Sequence, residues 1–384
     1  MSFQRKEKFP VRERNAFELL VDGEAFFTIM LASIARAQRF IFLEQYLVTT
    51  GSIGKKFVQA LSEAAQRDVK VYCLFDDYGS RGLNQYSRQQ LIDAGIQLCI
   101  YNPIRFKHWQ SALFRDHRKL LLVDNAIGFV GGAGITDEFL GQNKNDSWHD
   151  VVLKIQGDVL QDWGQLFQQT WRQYSATSID DSNAPSTDVR LRQPGQVLVN
   201  HPLHQEFNRR LLNTMRQATQ HIWITTPYFV PNWKLRRRLK RMASFGVDVR
   251  LLLPGDQSDH PWVSQAARRY YTRMLKHHIR IFEYQPRFTH AKIVICDDWV
   301  SIGSSNLDRW NQHWNLDANQ AIHDPVFAQH AMAIFREDFK QSREIELAIW
   351  SQRPWWQRWH EGYAGYLILL LEKLSRYFPK RRSP

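Results

Sequence analysis

A short pattern of histidine, lysine and aspartate occurs twice in this chain. It reads "HRKLLLVDNAIGFVGG" at residues 117–132 and "HAKIVICDDWVSIGSSN" at residues 290–306. Each copy has a lysine two positions after its histidine and an aspartate five positions after that lysine. The stretches before each copy also match in order, so the chain consists of two similar halves. Its fold must therefore build one structural unit twice.

Strand and helix patterns alternate in the same order in both halves. Runs rich in Val, Ile and Leu predict strands, and apolar residues spaced by three and four predict helices. The matched strands are 39–48 with 220–230, 69–75 with 247–253, and 94–103 with 277–286, and the matched helices are 54–68 and 234–246. This alternation predicts an α/β fold of two homologous lobes, each a mixed or mostly parallel β-sheet flanked by helices.

The region 175–188 separates the two halves. It is rich in Ser, Thr, Asp, Asn and Pro and contains little to bury, which predicts a linker. We therefore expect one lobe at 1–174 and the other at 189–350. Residues 351–384 match nothing in the first half, and we interpret them as a separate aromatic and basic tail.

The chain is strongly basic. Lys and Arg number 51 against 38 Asp and Glu, a formal net charge of +13. Such a surface favours nucleic acid, anionic lipid or phosphate-bearing substrates, although a basic soluble protein with no such partner has the same charge. Cys73, Cys99 and Cys296 lie far apart in apolar runs, which predicts buried thiols in a reducing compartment. No signal peptide and no stretch of about 18 apolar residues is visible, so we expect no membrane-spanning helix.

Strand periodicity decides which side chains of each motif share a face. Alternate residues of an extended strand point the same way, so His117 pairs with Lys119, and the same holds for His290 with Lys292. Asp124 follows His117 by seven positions and has the opposite parity. We therefore expect Asp124 and its counterpart Asp297 to stabilise the following turn, although both belong to the motif and stay in the candidate catalytic set.

Two copies of the motif can meet about a pseudo-two-fold axis. Two imidazoles and two ammonium groups in one pocket between the lobes suit a phosphodiester substrate. The lysines and glycine-rich backbone can hold its anionic oxygens, while one histidine attacks phosphorus and the other protonates the leaving alcohol. No residue cluster with metal-ligand spacing occurs, so we expect neither a metal nor another cofactor.

The double motif resembles that of the phospholipase D superfamily. The stretches "TTPYFVPNWKLRRRLKRMASFGVDVRLLLPG" (225–255) and "DDYGSRGL" (76–83) are similar to the bacterial cardiolipin synthase group, in its short peripheral form without N-terminal membrane spans. The resemblance implies metal-free phosphatidyl transfer through a phosphohistidine. It assigns His117 as nucleophile, His290 as general acid and then base, and Lys119 and Lys292 as ligands of the phosphoryl oxygens.

The resemblance also implies further site residues. Gly132, Ser304 and Asn306 correspond to contacts with the substrate phosphate, although Gly134 stands where the second half has Asn306. A carboxylate from farther downstream usually holds each histidine. The candidates are Asp150, 33 residues after His117, and Asp317, 27 residues after His290. The alternative is that both are surface residues at strand ends.

The expected partners are phospholipids at a membrane surface. Phosphatidylglycerol is the implied substrate, with phosphatidylethanolamine as an alternative second lipid, at the cytoplasmic side of the inner membrane, and no nucleic acid is expected. Six basic residues between 234 and 241 predict a helix that contacts anionic lipid, and the alternative is a solvated helix face. The aromatic and basic residues of the tail also predict membrane contact, and the alternative is a C-terminal helix docked on the core. Hydrolysis of phospholipid or nucleic acid, and non-catalytic lipid binding, remain alternatives. The sequence determines neither the acceptor nor the oligomeric state.

Overall fold

A computed structural model gives the structure of the chain over residues 9–104, 113–141, 146–179, 189, 191–202, 204–308 and 313–354. Most of the expected linker and nearly all of the expected aromatic tail lie outside these residues. No helix in the described ranges is long and apolar enough to cross a lipid bilayer.

The first lobe is built on a seven-stranded sheet in the order β1-β8-β7-β6-β2-β3-β4. Its strands are β1 (Asn15–Val21), β2 (Phe40–Gln45), β3 (Lys70–Asp76), β4 (Gln97–Tyr101), β6 (Leu120–Val123), β7 (Ile127–Gly131) and β8 (Val151–Gly157). The helices are α1 (Asp22–Ala35), α2 (Ser52–Gln66), α3 (Gln85–Asp93) and α4 (Val159–Tyr174). β2, β3 and β4 run parallel and the remaining pairs are antiparallel, so the predicted mixed sheet is confirmed.

The second lobe repeats this plan in a larger sheet, ordered β10-β9-β16-β15-β14-β11-β12-β13-β17. Its strands are β9 (Gly195–His201), β10 (His204–Gln205), β11 (His221–Thr225), β12 (Asp248–Pro254), β13 (Arg280–Tyr284), β14 (Ile293–Cys296), β15 (Trp299–Gly303), β16 (Asn315–His323) and β17 (Ser342–Glu344). The helices are α5 (Glu206–Gln217), α6 (Trp233–Ser244), α7 (Pro261–Arg268), α8 (Tyr271–Leu275), α9 (Pro325–Lys340) and α10 (Leu347–Ser351). A short first-half strand, β5 (Arg115–Asp116), pairs with β16 of this sheet.

Local sequence signals account for several of these elements. All six residues of β2 are buried, as expected for a central strand covered on both faces. α6 begins after Asn232, whose side chain accepts a hydrogen bond from the backbone N–H of Leu235. α9 begins in the same way after Asp324, with a proline at its first position. These caps satisfy donors that a helix N-terminus otherwise leaves unpaired.

Two inner helices lie between the sheets and join the lobes into one core. A continuous buried cluster contains α4 residues such as Trp163 and Phe167 together with α9 residues such as Phe327 and Phe335, and it includes strands of both sheets. Trp163 also donates a hydrogen bond from Nε1 to Gln320 Oε1 at 2.9 Å. The outer helices of each lobe cover separate clusters. The inter-lobe surface is therefore hydrophobic core, which keeps the two motifs in a fixed relation.

Each motif includes a β-hairpin, and the two hairpins differ by one residue. Three residues, 124–126, connect β6 to β7, whereas two residues, 297–298, connect β14 to β15. The sequence predicts this shorter second hairpin, because five residues separate Asp297 from Gly303 whereas six separate Asp124 from Gly131.

The motif aspartates anchor these hairpins at the far end from the histidines. Asp124 accepts hydrogen bonds from the backbone N–H groups of Gln38, Arg39 and Phe40, each at 2.8 Å. Asp297 receives the backbone N–H groups of residues 219–221 at 2.7–3.0 Å. Each carboxylate thus ties its hairpin turn to the start of the neighbouring parallel strand, β2 or β11.

Replacing Asp124 with Asn should therefore destabilise the first lobe. In the natural protein both carboxylate oxygens accept backbone N–H groups. In the variant the amide nitrogen replaces one of these oxygens and leaves a backbone N–H without an acceptor, which lowers the free energy of unfolding by about 1–3 kcal/mol. Denaturant unfolding measures this change. The control is Asp298→Asn in the corresponding turn of the second lobe, where the exposed side chain should tolerate the change. Equal stability of Asp124→Asn and the natural protein would contradict the anchoring role.

Candidate active site

Two parallel backbone bridges bring the motifs together across the lobe boundary. β5 pairs with β16, and the backbone N–H of His117 donates to the carbonyl of Leu316 at 2.9 Å. In the second lobe Thr289 pairs in parallel with His149, and the N–H of His290 donates to the His149 carbonyl at 2.7 Å. The two bridges are equivalent under exchange of the halves. Each histidine therefore enters the site beside the other lobe.

The bridges pair each histidine with a carboxylate of the opposite lobe. His117 Nδ1 lies 2.9 Å from Asp317 Oδ1, and His290 Nδ1 lies 2.8 Å from Asp150 Oδ2. All four residues are buried. Because a carboxylate is an acceptor, each imidazole carries its proton on Nδ1 and presents the lone pair of Nε2. Residue spacing within each half does not reveal this crossing, since it arises from pairing between the lobes.

The lysines approach the same place from both lobes. Lys292 Nζ lies 3.1 Å from His290 Nε2, and a Cβ added to Gly132 of the first lobe would lie 2.9 Å from that ammonium nitrogen. Lys119 Nζ donates to the His117 carbonyl at 2.6 Å and lies 5.3 Å from the ring centre of Tyr46. The predicted His and Lys residues therefore share one buried site.

Burial lowers the pKa of all four basic groups, and repulsion from a neighbouring lysine lowers the pKa of three of them further. Burial and the nearby Lys119 lower the pKa of His117 to about 4, and burial and Lys292 lower that of His290 to about 3. Burial together with Lys292 lowers the pKa of Lys119 to about 7. Burial lowers that of Lys292 to about 8. A bound anion would oppose these shifts, so the site is built to receive negative charge.

The predicted phosphate contacts differ between the lobes. The buried Asn306 side chain has no hydrogen-bond partner among the described residues, so its amide can serve a ligand. A Cβ at the equivalent Gly134 would lie 2.7 Å from Leu47 Cβ, which leaves no room for a side chain. Ser304 donates its hydroxyl hydrogen to Asp317 Oδ1 at 2.9 Å, which places it as a support of that carboxylate.

Asp124 and Asp297 are not at this site. Each follows a four-residue strand whose other end adjoins its lysine, roughly 20 Å along the chain from its histidine. Of the four candidate aspartates, the structure thus brings only Asp150 and Asp317 to the histidines.

Aromatic walls distinguish the surroundings of the two histidines. The ring of Tyr46 lies 5.1 Å from that of His117. His290 is enclosed by Phe139, Trp148 and Phe288, with ring centres 5.5–6.0 Å away. Both imidazoles are therefore held by packing as well as by their carboxylates.

His149 holds the two lobes together directly behind Asp150. Its Nδ1 lies 2.8 Å from Asp22 Oδ1 and its Nε2 lies 3.3 Å from Asp338 Oδ2. The backbone N–H of Asp22 in turn donates to the Asp150 carbonyl at 2.9 Å, and Arg287 pairs with the other oxygen of Asp22. Sequence reasoning missed this cluster; its only signal was the position of His149 beside Asp150 in "WHD".

The segment that carries His117 is fixed by buried ion pairs in the first lobe. Arg115 Nη1 lies 3.3 Å from Asp76, which also accepts the backbone N–H of Asp116 at 3.0 Å. The fully buried Arg118 lies 3.2 Å from Asp116 and 3.3 Å from Glu44. Removal of one partner would leave a buried charge uncompensated, so this network constrains β5 strongly.

A family described as cardiolipin synthase, PLD-like domain matches the chain over residues 30–171 and 211–339. The chain belongs to this family. Each matched segment contains one of the two histidine–lysine motifs.

Cardiolipin synthases resemble the chain over most of its length. That of Geobacillus kaustophilus is 32% identical over 370 residues, covering 94% of this chain and 74% of the relative. Cardiolipin synthase A of Pseudomonas putida strain W619 is 34% identical over 348 residues, covering 88% and 71%. The predicted resemblance to bacterial cardiolipin synthases is confirmed.

Solved structures share the fold. A phosphatidylserine synthase of Haemophilus influenzae aligns with a TM-score of 0.73 at 15% identity, covering 96% of this chain and 95% of that one. A polyphosphate kinase of Porphyromonas gingivalis aligns with a TM-score of 0.61 at 15% identity, covering 86% and 49%. At such low identity the similarity shows only the fold. The shared fold confirms the predicted two-lobed α/β architecture.

The His149 cluster should make stability depend on pH. Burial lowers the pKa of His149, but Asp22 and Asp338 outweigh it and raise the pKa to about 9. A pKa raised on folding stabilises the protein fully below the unfolded value of about 6.5, and this contribution is lost as pH rises through the folded value. His149→Gln should cost about 3 kcal/mol near pH 6 and less near pH 10, measured by denaturant unfolding.

The control for this change is His330→Gln, on the exposed face of α9, which should leave stability unaltered at either pH. A deficit in His149→Gln that stays constant across the pH range would contradict a protonated His149 between the lobes.

Proposed function

We propose that this protein is a cardiolipin synthase that moves a phosphatidyl group from one phospholipid to a hydroxyl group of another. The observation that carries the proposal is the pair of crossed histidine–carboxylate hydrogen bonds beside two buried lysines. Membership of the cardiolipin synthase family supports the choice of phospholipid substrates.

In the first step His117 Nε2 attacks the phosphorus of phosphatidylglycerol. The P–O bond to the glycerol headgroup breaks, and His290 gives a proton to the departing oxygen. The negative charge of the bound phosphodiester opposes the repulsion that lowers the pKa of His290, and so favours the protonated form that a general acid needs. The product of this step is a phosphatidyl-histidine at His117 and free glycerol.

In the second step a hydroxyl group of another phosphatidylglycerol enters where glycerol left. His290 removes its proton, the oxygen attacks phosphorus, and the P–N bond to His117 breaks. Two phosphatidylglycerol molecules thus give one cardiolipin and one glycerol. Lys119, Lys292 and the Asn306 amide hold the phosphoryl oxygens, and Asp317 and Asp150 stabilise the positive charge that forms on the imidazoles.

The protein works at a bilayer surface in this proposal, because both substrates are lipids. The formal net charge of +13 favours an anionic membrane. We place it peripherally, on the cytoplasmic face of the inner membrane.

Incubation of the full chain with vesicles of labelled phosphatidylglycerol should give cardiolipin and an equal amount of glycerol. His117→Ala should form neither cardiolipin nor a phosphoenzyme, whereas His290→Ala should accumulate phosphoenzyme slowly and stall. Lipid analysis and phosphoenzyme trapping provide the readouts.

Each alternative outcome of this assay has a definite meaning. Phosphatidic acid as the main product would identify water as the acceptor and overturn the synthase proposal. Ethanolamine release from added phosphatidylethanolamine would identify a second donor. A phosphoenzyme in His117→Ala but never in His290→Ala would exchange the two roles.

The crossed pairing gives each aspartate a separate step. Asp150→Asn should impair proton donation by His290, and Asp317→Asn should impair the nucleophile His117, each by about 10⁴-fold in kcat, as in other carboxylate–histidine pairs. A soluble phosphodiester with a p-nitrophenol leaving group needs no proton for departure. First-step turnover of this substrate should therefore recover in Asp150→Asn but not in Asp317→Asn.

The matched control is Asp124→Asn, which should keep kcat when folded. Recovery of Asp317→Asn instead of Asp150→Asn would mean that each aspartate serves the histidine of its own lobe, or that the histidine roles are reversed. The phosphoenzyme assay separates these two explanations.

A further inference from the structure

A basic cavity lies in the second lobe, and none of its lining residues belongs to the histidine–lysine site. It is an open pocket of about 350 Å³ between α6 and the segment of α7 and α8. Its lining consists of Arg236, Arg269, Tyr270, Thr272, Arg273 and Lys276. The volume is at the lower end of the range for ligand pockets, roughly 300–1,000 Å³. Four of the six lining residues are cationic and none is acidic, so the pocket suits a small anion.

A buried tyrosine organises the cations of this pocket. The Tyr270 ring centre lies 5.0 Å from the Arg236 guanidinium and 5.3 Å from that of Arg269. Tyr270 is only 6% exposed and packs with Val230 and Ala266 in a small apolar cluster. Stacking on a fixed ring restricts both guanidinium groups before a ligand arrives, which reduces the entropic cost of binding one.

Positive charge is concentrated in the helices around the pocket. Burial lowers the pKa of Arg238 on α6, and so does repulsion from Arg216, Arg241 and Arg237. His277, just after the pocket, likewise has a pKa lowered by burial and by Lys240. The four cations that line the pocket itself also repel one another, so an anion bound among those four removes an unfavourable interaction.

Exposed tryptophans flank the same surface. Trp233, at the start of α6, is 54% exposed, and Trp262, near the start of α7, is 62% exposed. α6 is the next helix after β11 and α7 is the next helix after β12, and the carboxyl end of β11 pairs with Ile293, next to Lys292 of the candidate active site. Tryptophan is favoured at membrane–water interfaces. A phosphate carried by a membrane lipid therefore fits this pocket better than a phosphate dissolved in water.

We propose that this cavity binds the phosphate of an anionic phospholipid headgroup and holds the second lobe at the bilayer. The guanidinium groups of Arg236, Arg269 and Arg273 donate to the phosphodiester oxygens, and Lys276 adds a positive charge. This second lipid site performs no chemistry. It does not depend on the proposed synthase activity, because it stands on separate residues.

Vesicle binding tests the proposal with two charge-matched variants. Arg273→Gln with Lys276→Gln changes two exposed residues of the pocket, and Arg209→Gln with Arg237→Gln changes two exposed residues of α5 and α6 outside it. Each pair lowers the formal net charge of +13 by two. Both are made in a His117→Ala background, so that turnover cannot alter the lipid composition. The vesicles are phosphatidylcholine with phosphatidylglycerol.

The pocket pair should weaken vesicle binding about thirty-fold, since each basic residue in contact with an anionic surface contributes roughly five-fold. The control pair should weaken it less than about three-fold. A similar loss in both pairs would overturn the proposal in favour of a diffuse basic surface. Thermal unfolding of both pairs confirms that the comparison is between folded proteins.

Two further probes identify the bound group. Vesicles in which oleate supplies the same surface charge should bind the natural pocket less tightly than phosphatidylglycerol vesicles, and the pocket pair should lose this preference. Equal binding to both kinds of vesicle would overturn phosphate recognition. Tight calorimetric binding of soluble glycerol phosphate, with vesicle binding unaffected in the pocket pair, would assign the cavity to a soluble phosphate ester and overturn the lipid proposal.

Discussion

The hydrogen bonds from the His117 and His290 backbones to the opposite lobe determine the rest of the site. Each places a histidine next to a strand of the other half, one residue away from that half's buried aspartate. The imidazole–carboxylate contacts follow from this register, because no rotation of the side chains alone could create them. The common core around α4 and α9 keeps the register fixed. The position of the two motifs and the pairing of each histidine with a carboxylate therefore both follow from these two backbone hydrogen bonds.

Electrostatics explains why such a site needs so much support. Four basic groups lie buried with two carboxylates, and burial favours the neutral form of each base. The two carboxylates do not balance the four basic groups when these are protonated. A phosphodiester that enters the site supplies a further negative charge. The buried Asn306 amide, which has no hydrogen-bond partner in the described part of the chain, adds two donors. The polar groups are thus preorganised for an anion before it binds, which is the condition under which electrostatic catalysis is strongest.

The sequence predicts the lobes and the candidate His and Lys residues of the site because both depend on local patterns. Strand runs, the repeated motif and the parity of Asp124 can all be read along the chain, and the structure has the strands and the distant aspartates where these patterns indicate. The exchange of Asp150 and Asp317 between lobes depends on pairing of distant segments, which no spacing encodes. His149 was missed for the same reason, since its partners lie 127 and 189 residues away. Steric contact with Leu47 likewise explains Gly134 only after the chain is folded.

The crossing of the carboxylates has a consequence for how such a molecule can arise. Within a single lobe the histidine and the aspartate cannot form a hydrogen bond with each other. Two identical lobes related by a true two-fold axis would form both crossed histidine–aspartate pairs, and the two pairs would be equivalent. Covalent joining of the lobes removes the requirement that both copies stay alike. In this chain the two copies differ at equivalent positions: Gly132 corresponds to Ser304, and Gly134 corresponds to Asn306. Fusion thus permits one histidine to become specialised for attack and the other for proton transfer, a division of labour that a symmetric pair of subunits cannot encode.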